Sequence, residues 1–234
     1  MVTIENQSYP ELAAIRVSLD GATVGERRPQ FGKPVGEVTP AFQVGRLELR
    51  GSKIRVQGAA IDLVCEARDV AIGQVRDATE NLVLVLQRAA EGSIEVNLAI
   101  SDLENLVRAG AEAAAGKHGV TIEDVRIELV SRGERALDLA VQVRAKKLFL
   151  SANIRISGSA AIDEQMNARL SGLTCSGDGT LGSLACGFIS PHLQRFDGRE
   201  FSLLALPLGE MKMRDVQIAV GSELHVTAQF GQAA

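Results

Sequence analysis

Aromatic side chains are nearly absent from this sequence: they make up 3% of its 234 residues, with no Trp and a single Tyr. Any core or pocket is therefore aliphatic, built from Leu, Val, Ile and Ala. Proteins that bind single-stranded nucleic acid stack bases on aromatic rings and present a basic surface. Here 25 Lys and Arg face 29 Asp and Glu, a net charge of −4, so nucleic acid is excluded as a partner. Long apolar runs are missing too. No stretch reaches the roughly 18 residues of a spanning helix, so no transmembrane segment is expected. The first residues, MVTIENQSYPELAAIRV, lack a basic leader, and Glu5 and Glu11 interrupt their apolar positions. No export signal is read, and a cytoplasmic protein is expected.

Cysteine is scarce and odd in number: Cys65, Cys175 and Cys186, with no CxxC and only three scattered His. Neither a disulfide framework nor a metal site is indicated. All three are expected as free thiols packed like small hydrophobes. Cys175 and Cys186 flank a Gly-rich loop and could pair only in an oxidising compartment.

What is present is material for a core: 46% hydrophobic and 23% charged residues over a length that suits one large or two small domains. No shift in composition cuts the chain, so 1–234 is read as one domain. The dominant pattern is alternation of period two. It runs through Ile15–Leu19, Leu47–Arg50, Ile54–Val56, Ile61–Leu63, Ile94–Ile100, Val125–Leu129, Leu137–Val143, Ile154–Ile156, Val216–Val220 and Leu224–Phe230. Strands with one apolar and one wet face point to antiparallel sheet. Gly92-Ser93, Ser157-Gly158 and Gly221-Ser222 read as turns, and Arg27 to Thr39, with Pro29 and Pro34, as a loop or strap. Leu82 to Leu86 is ambiguous: a buried strand, or a helix capped by Asp77-x-x-Glu80.

Two segments break the rhythm. Ser101-Asp102-Leu103-Glu104 has the form of a capping box. Behind it Leu103, Leu106, Val107, Gly110, Ala111 and Ala114 share one helical face, while Glu104, Arg108 and Glu112 line the other. The helix should end near Gly116 to Gly119. From Thr180, the residues Leu181, Leu184, Ala185, Phe188 and Ile189 recur at helical spacing. Pro191 is expected to end that helix and start a second short one, capped by Ser190 and carrying Leu193 and Phe196.

Gly177-Asp178-Gly179-Thr180-Leu181-Gly182 matches GxGxxG, a dinucleotide-binding fingerprint when it lies in a parallel βαβ unit. Half-wet strands on both sides argue against that context, and Asp197-Gly198-Arg199-Glu200 is a polar turn where a ribose-binding acid would be needed. The motif is read as a Gly-rich entry into a helix, with no cofactor. His118, His192 and His225 lie far apart, His225 on the wet face of a strand. Asp62, Glu66 and Asp69 read as a solvated face. No nucleophile elbow or Cys–His spacing appears, and no enzyme is expected.

The stretches VNLAISDLENLV (96–107), GVTIEDVRIEL (119–129) and FDGREFSLLALPLGEMKMRDVQIAV (196–220) resemble the LmeA-like phospholipid-binding proteins of the tubular lipid-binding (TULIP) superfamily. The likeness covers roughly the C-terminal 140 residues. It implies an α+β fold, a long curved antiparallel sheet wrapped around one main helix with a second short helical segment, and a groove that holds acyl chains without catalysis. The implied lining is Leu103, Leu106, Val107 and Ala114 on the first helix, Leu184 and Phe188 on the second, and Ile127, Leu129, Leu139 and Val141 on the sheet. A lipid or fatty-acyl ligand and transient contact with a membrane follow from the same likeness. The alternative is an interaction module with a collapsed groove, acting as a homo-oligomer.

Overall fold

The computed structural model describes residues 1–24, 34–56, 58–77, 80–116, 119–147, 150–205 and 211–232. Val2–Ser8 (β1) and Glu11–Ser18 (β2) form a hairpin, and Thr23–Val24 (β3) follows. Two long strands come next, Pro34–Val56 (β4) and Ala59–Asp77 (β5), and then Leu82–Arg88 (β6) and Glu91–Ala99 (β7). The helix Ile100–Ala115 (α1) leads into a meander of Thr121–Gly133 (β8), Ala136–Lys147 (β9), Leu150–Ile162 (β10) and Asn167–Gly177 (β11). A second helix, Gly179–Gln194 (α2), precedes Glu200–Ser202 (β12), a 3-10 turn at Leu203–Ala205, and the closing hairpin Met211–Val220 (β13) and Glu223–Gln232 (β14).

The alternating segments are strands, as period two requires, and they are mostly antiparallel. They assemble into two sheets. The nine-stranded sheet has the order β1-β2-β4-β5-β7-β14-β13, with β3 beside β4 and β6 beside β5; the five-stranded sheet runs β12-β11-β10-β9-β8. Not every pairing is antiparallel. β2 and β3 both run parallel to β4, a matter of chain path that alternation cannot encode.

Several local expectations are corrected. Pro34 to Thr39 belong to β4 rather than a strap, and residues 27–33 lie outside the described residues. Among the described residues β4 pairs there with β5 alone, since β2 reaches only Gln43–Arg50, and proline is tolerated at such a strand end. Gly92 lies inside β7, not in a turn, because the Phe230 ring occupies the space of a side chain there. Gly158 likewise lies inside β10, at a register shift, against Leu173. The ambiguous Leu82 to Leu86 is strand, paired with β5.

Three apolar clusters hold the molecule. Ile15, Val44, Ala67, Val70, Ala89, Met211 and Phe230 pack within the nine-stranded sheet. Ile122, Val125, Ile127 and Ala145 anchor α1 to the five-stranded one. Met166, Val216 and Ala228, with Ile162 and Leu203, join the two sheets. At that joint Ile218 N–H donates to the Glu134 carbonyl at 2.6 Å, and Arg135 pairs with Asp215. On the wet side Glu48 and Glu66 stand directly opposite each other on β4 and β5. Arg46 bridges them at 2.7 and 3.4 Å, which relieves a like-charge pair that would otherwise oppose the register.

Candidate ligand-binding face

Directly opposed residues in a sheet project to the same side, so the register identifies one continuous apolar face. Ile127 opposes Val141, Val141 opposes Ile156, and Ile156 opposes Cys175. The neighbouring row runs Val125, Val143, Ile154, Gly177. Both helices lie on this side: α1 packs on β8, and α2 on β10 and β11.

α1 docks by side chains. Ile100, Leu103, Val107, Ala111 and Ala115 recur every three or four residues and pack on the Val125–Ile127 cluster. The capping box is not formed: the helix begins after Ala99 with no side-chain cap. Glu104 instead reaches across to accept the Ile127 N–H at 2.9 Å, and Arg108 pairs with Asp124 at 3.1 Å. The N–H of an edge strand lacks a partner, and a buried or half-buried acceptor for it outweighs a solvent-exposed cap. Glu104 and Arg108 therefore face the sheet, not water. Asp124 has its pKa held below the usual carboxylate range by hydrogen bonding to Arg126, with its charge and that of Arg108 adding to the effect.

α2 docks by backbone and by a covalent bond. Cys175 on β11 and Cys186 on α2 are joined in a disulfide with Cα atoms 5.5 Å apart, while Cys65 is free. This corrects the expectation of three free thiols. The sequence places the two residues 11 apart without revealing that α2 folds back onto its own strand. Gly177 and Gly182 meet backbone to backbone: a side chain on Gly182 would come within 2.7 Å of the Gly177 carbonyl carbon. Gly179 adopts φ +67° at the entry to the helix. Each glycine of the GxGxxG thus has a packing or turn role where the antiparallel strand β11 leads into α2. α2 is continuous through Pro191. Pro191 and Gly187, whose carbonyl loses its donor, are both exposed, so water can satisfy the gap.

The implied lining residues separate into two sets. Leu103, Val107, Ile127, Leu129 and Val141 come together beneath α1. Leu139 opposes Leu129 on the same face, and Leu106 is half-buried while Ala114 is exposed. Leu184 and Phe188 are not brought there: at 57% and 79% exposure they point away from the sheet, because Gly182 and Cys186 form the face that packs. Sequence reasoning missed Ile156, whose place on the floor depends on pairing between strands.

Between the helices lies β9: its Val141, Val143 and Ala145 join the cluster beneath α1, and its Leu139 lies outside that cluster. Leu139 and Val141 of β9 and Ile156 of β10 are only half-buried. The whole chain exposes 14,835 Å². A compact protein of its 24.9 kDa would expose about 10,200 Å². Half-buried apolar residues such as Leu139, Val141 and Ile156 contribute to that surface. Cavities of about 320, 440 and 380 Å³ carry Arg46, Arg126 and Arg132 respectively in their walls, and of the implied lining Leu139 touches one of them.

Among the described residues, Asp62, Glu66 and His225 are engaged in separate contacts. Asp62 accepts the Lys53 N–H, and Glu66 is engaged by Arg46 and Arg50. His225 contacts Asn97 and lies 3.8 Å from Glu95, and its row across the sheet is Asp62, Asn97, His225 and Ala219, which supplies no nucleophile. His118 and the segment LPLG at 206–209 lie outside the described residues. No described helix is long and apolar enough to cross a membrane. Comparison with protein-family models, curated proteins and solved structures gives no match to this chain.

Proposed function

We propose that this protein holds a lipid acyl chain or another slender apolar ligand, without catalysis, on the face of the five-stranded sheet between α1 and α2. The observation that carries the reading is the strip Leu139, Val141 and Ile156, apolar yet half-buried, which runs between the two helices from the border of the α1 cluster at Val141. β8 and β10 are two strand spacings apart, about 10 Å, enough for an extended chain but narrow for a ring system. Ten buried methylenes would contribute roughly 8 kcal/mol before the costs of ordering. Leu106 and Ala114 extend the apolar surface along α1. The resemblance to LmeA-like TULIP proteins favours the same class of ligand. The Cys175–Cys186 bond favours an oxidising compartment over the cytoplasm, since such bonds persist where thiols are not kept reduced.

Organic extraction of the purified protein followed by mass spectrometry tests this reading. The wild type should release lipid, and Leu139→Trp should release much less at an unchanged melting temperature. Protein that yields no lipid and does not bind a fluorescent fatty acid would sink it. A homo-oligomeric interaction module is the second reading. It is favoured by β1, an edge strand exposing Val2 at 62% and Ile4 at 45%, through which copies could pair. Light scattering that finds a stable dimer free of lipid would favour that alternative.

A further inference from the structure

α2 is a helix of 16 residues, GTLGSLACGFISPHLQ, without a single Asp, Glu, Lys or Arg. Its sheet-facing side is occupied by Gly182 and Cys186, and its opposite side presents Leu184 and Phe188, one turn apart, at 57% and 79% exposure. Phe196, just past its C-terminal end, and Phe201 are also exposed. A monomer has no structural use for a Phe left largely in water at the crest of a helix. The disulfide and the glycine contact hold that helix rigidly by its other side, so its crest is preorganised and need not be ordered on binding.

The charges that follow α2 past its C-terminal end select the occupant. The carboxylates are engaged within the protein: Asp197 accepts the Leu173 N–H at 3.0 Å, and Glu200 faces Arg169 at 3.7 Å. Arg195 and Arg199 have no carboxylate partner among the described residues, and Arg199 lies over the Phe201 ring at 5.6 Å. Exposed Leu and Phe on the helix, followed past its C-terminal end by unpaired cations, suit a surface whose acyl boundary takes the apolar side chains while its anionic headgroups meet the cations. We propose that the crest of α2 docks on a bilayer surface containing anionic lipid, inserting Leu184 and Phe188 and placing Arg195 and Arg199 at the phosphates. The inference deepens the reading above and rests on it, for a carrier of acyl chains has to collect them from a bilayer.

The test is co-sedimentation of the full chain with vesicles of phosphatidylcholine alone or with about one third phosphatidylglycerol. The wild type should pellet with the anionic vesicles, and less so as salt rises. Phe188→Glu and Leu184→Ser should each lower the partition coefficient, the first by at least about tenfold. Arg195→Gln and Arg199→Gln should each lower it about fivefold, on the anionic vesicles only. Lipid extracted from Phe188→Glu should match the wild type, which separates loss of docking from loss of the bound ligand. Vesicle binding by a wild type that carries no lipid would uphold docking and remove the cargo. A wild type that pellets with neither vesicle, or Phe188→Glu that binds as well as wild type, would overturn the proposal. So would a wild-type dimer that Phe188→Glu converts to monomer, since a second copy would then cover the crest.

Discussion

α1 and α2 are each 16 residues long and lie on the same face of the same sheet, yet they are held there by opposite means. α1 has no fully buried residue and binds through half-buried aliphatics and two charged side chains, Glu104 and Arg108. α2 has no acidic or basic residue other than His192 and binds through a glycine contact and a disulfide. Side-chain docking leaves α1 adjustable at a modest cost per contact. Backbone docking fixes α2 at close range and frees its other side for a different task.

The contrast is sharpest at glycine. Gly182→Ala should destabilise the protein by about 2–3 kcal/mol, because the new Cβ meets the Gly177 backbone, which cannot move aside cheaply. Gly110→Ala in α1 meets nothing within 4 Å and should stabilise by roughly 0.5–1 kcal/mol. Denaturant melts that gave both changes the same sign would break the comparison.

Reduction comes next. A disulfide between residues 11 apart constrains the unfolded chain by roughly 3 kcal/mol, so Cys175→Ser with Cys186→Ser should lower stability by about that amount. Thiol titration of the unfolded protein should count one thiol before reductant and three after it. Three before reductant would remove the covalent half of the contrast.

On α1, Glu104→Ala leaves the Ile127 N–H without its acceptor and should cost about 1–2 kcal/mol. Glu112→Ala on the exposed side should stay within about 0.5 kcal/mol of wild type. Faster hydrogen exchange at the Ile127 amide in the first variant, and not in the second, would locate the effect.

Acid should produce the smallest difference and distinguish the helices most cleanly. The Asp124 pKa is lowered by Arg126 and Arg108, so the stability it contributes is complete above the ordinary carboxylate range and is lost as pH falls through the folded value. Below about pH 4, exchange should therefore quicken in α1 while α2, which has no acid to protonate, keeps its protection. Equal loosening of both helices would show that global unfolding had intervened.

How much of this was legible follows from the range of each signal. Strands such as Val125–Leu129 and Leu137–Val143 could be read because alternation is a property of neighbours. The helices could be read from the spacing of Leu103, Val107 and Ala111, and of Leu181 and Ala185. The capping box at Ser101 misled because Glu104 has two potential partners, and the nearer in sequence is the weaker. Leu184 and Phe188 were indistinguishable from core positions, since α2 is apolar on both sides and its spacing does not reveal which side meets the sheet.

By itself, then, the sequence determined an aliphatic, mostly antiparallel protein with helical segments after Ile100 and after Thr180, though not that the second runs unbroken through Pro191, because those features depend on residues a few positions apart. The tertiary structure alone decided that the strands divide into two sheets and that β2 runs parallel to β4. It also decided that Cys175 meets Cys186, and that Ile156 rather than Phe188 lies beside Val141. Each of these is a meeting between strands or between a helix and a strand. Such meetings are settled by register and chain path, which the local pattern of side chains does not encode.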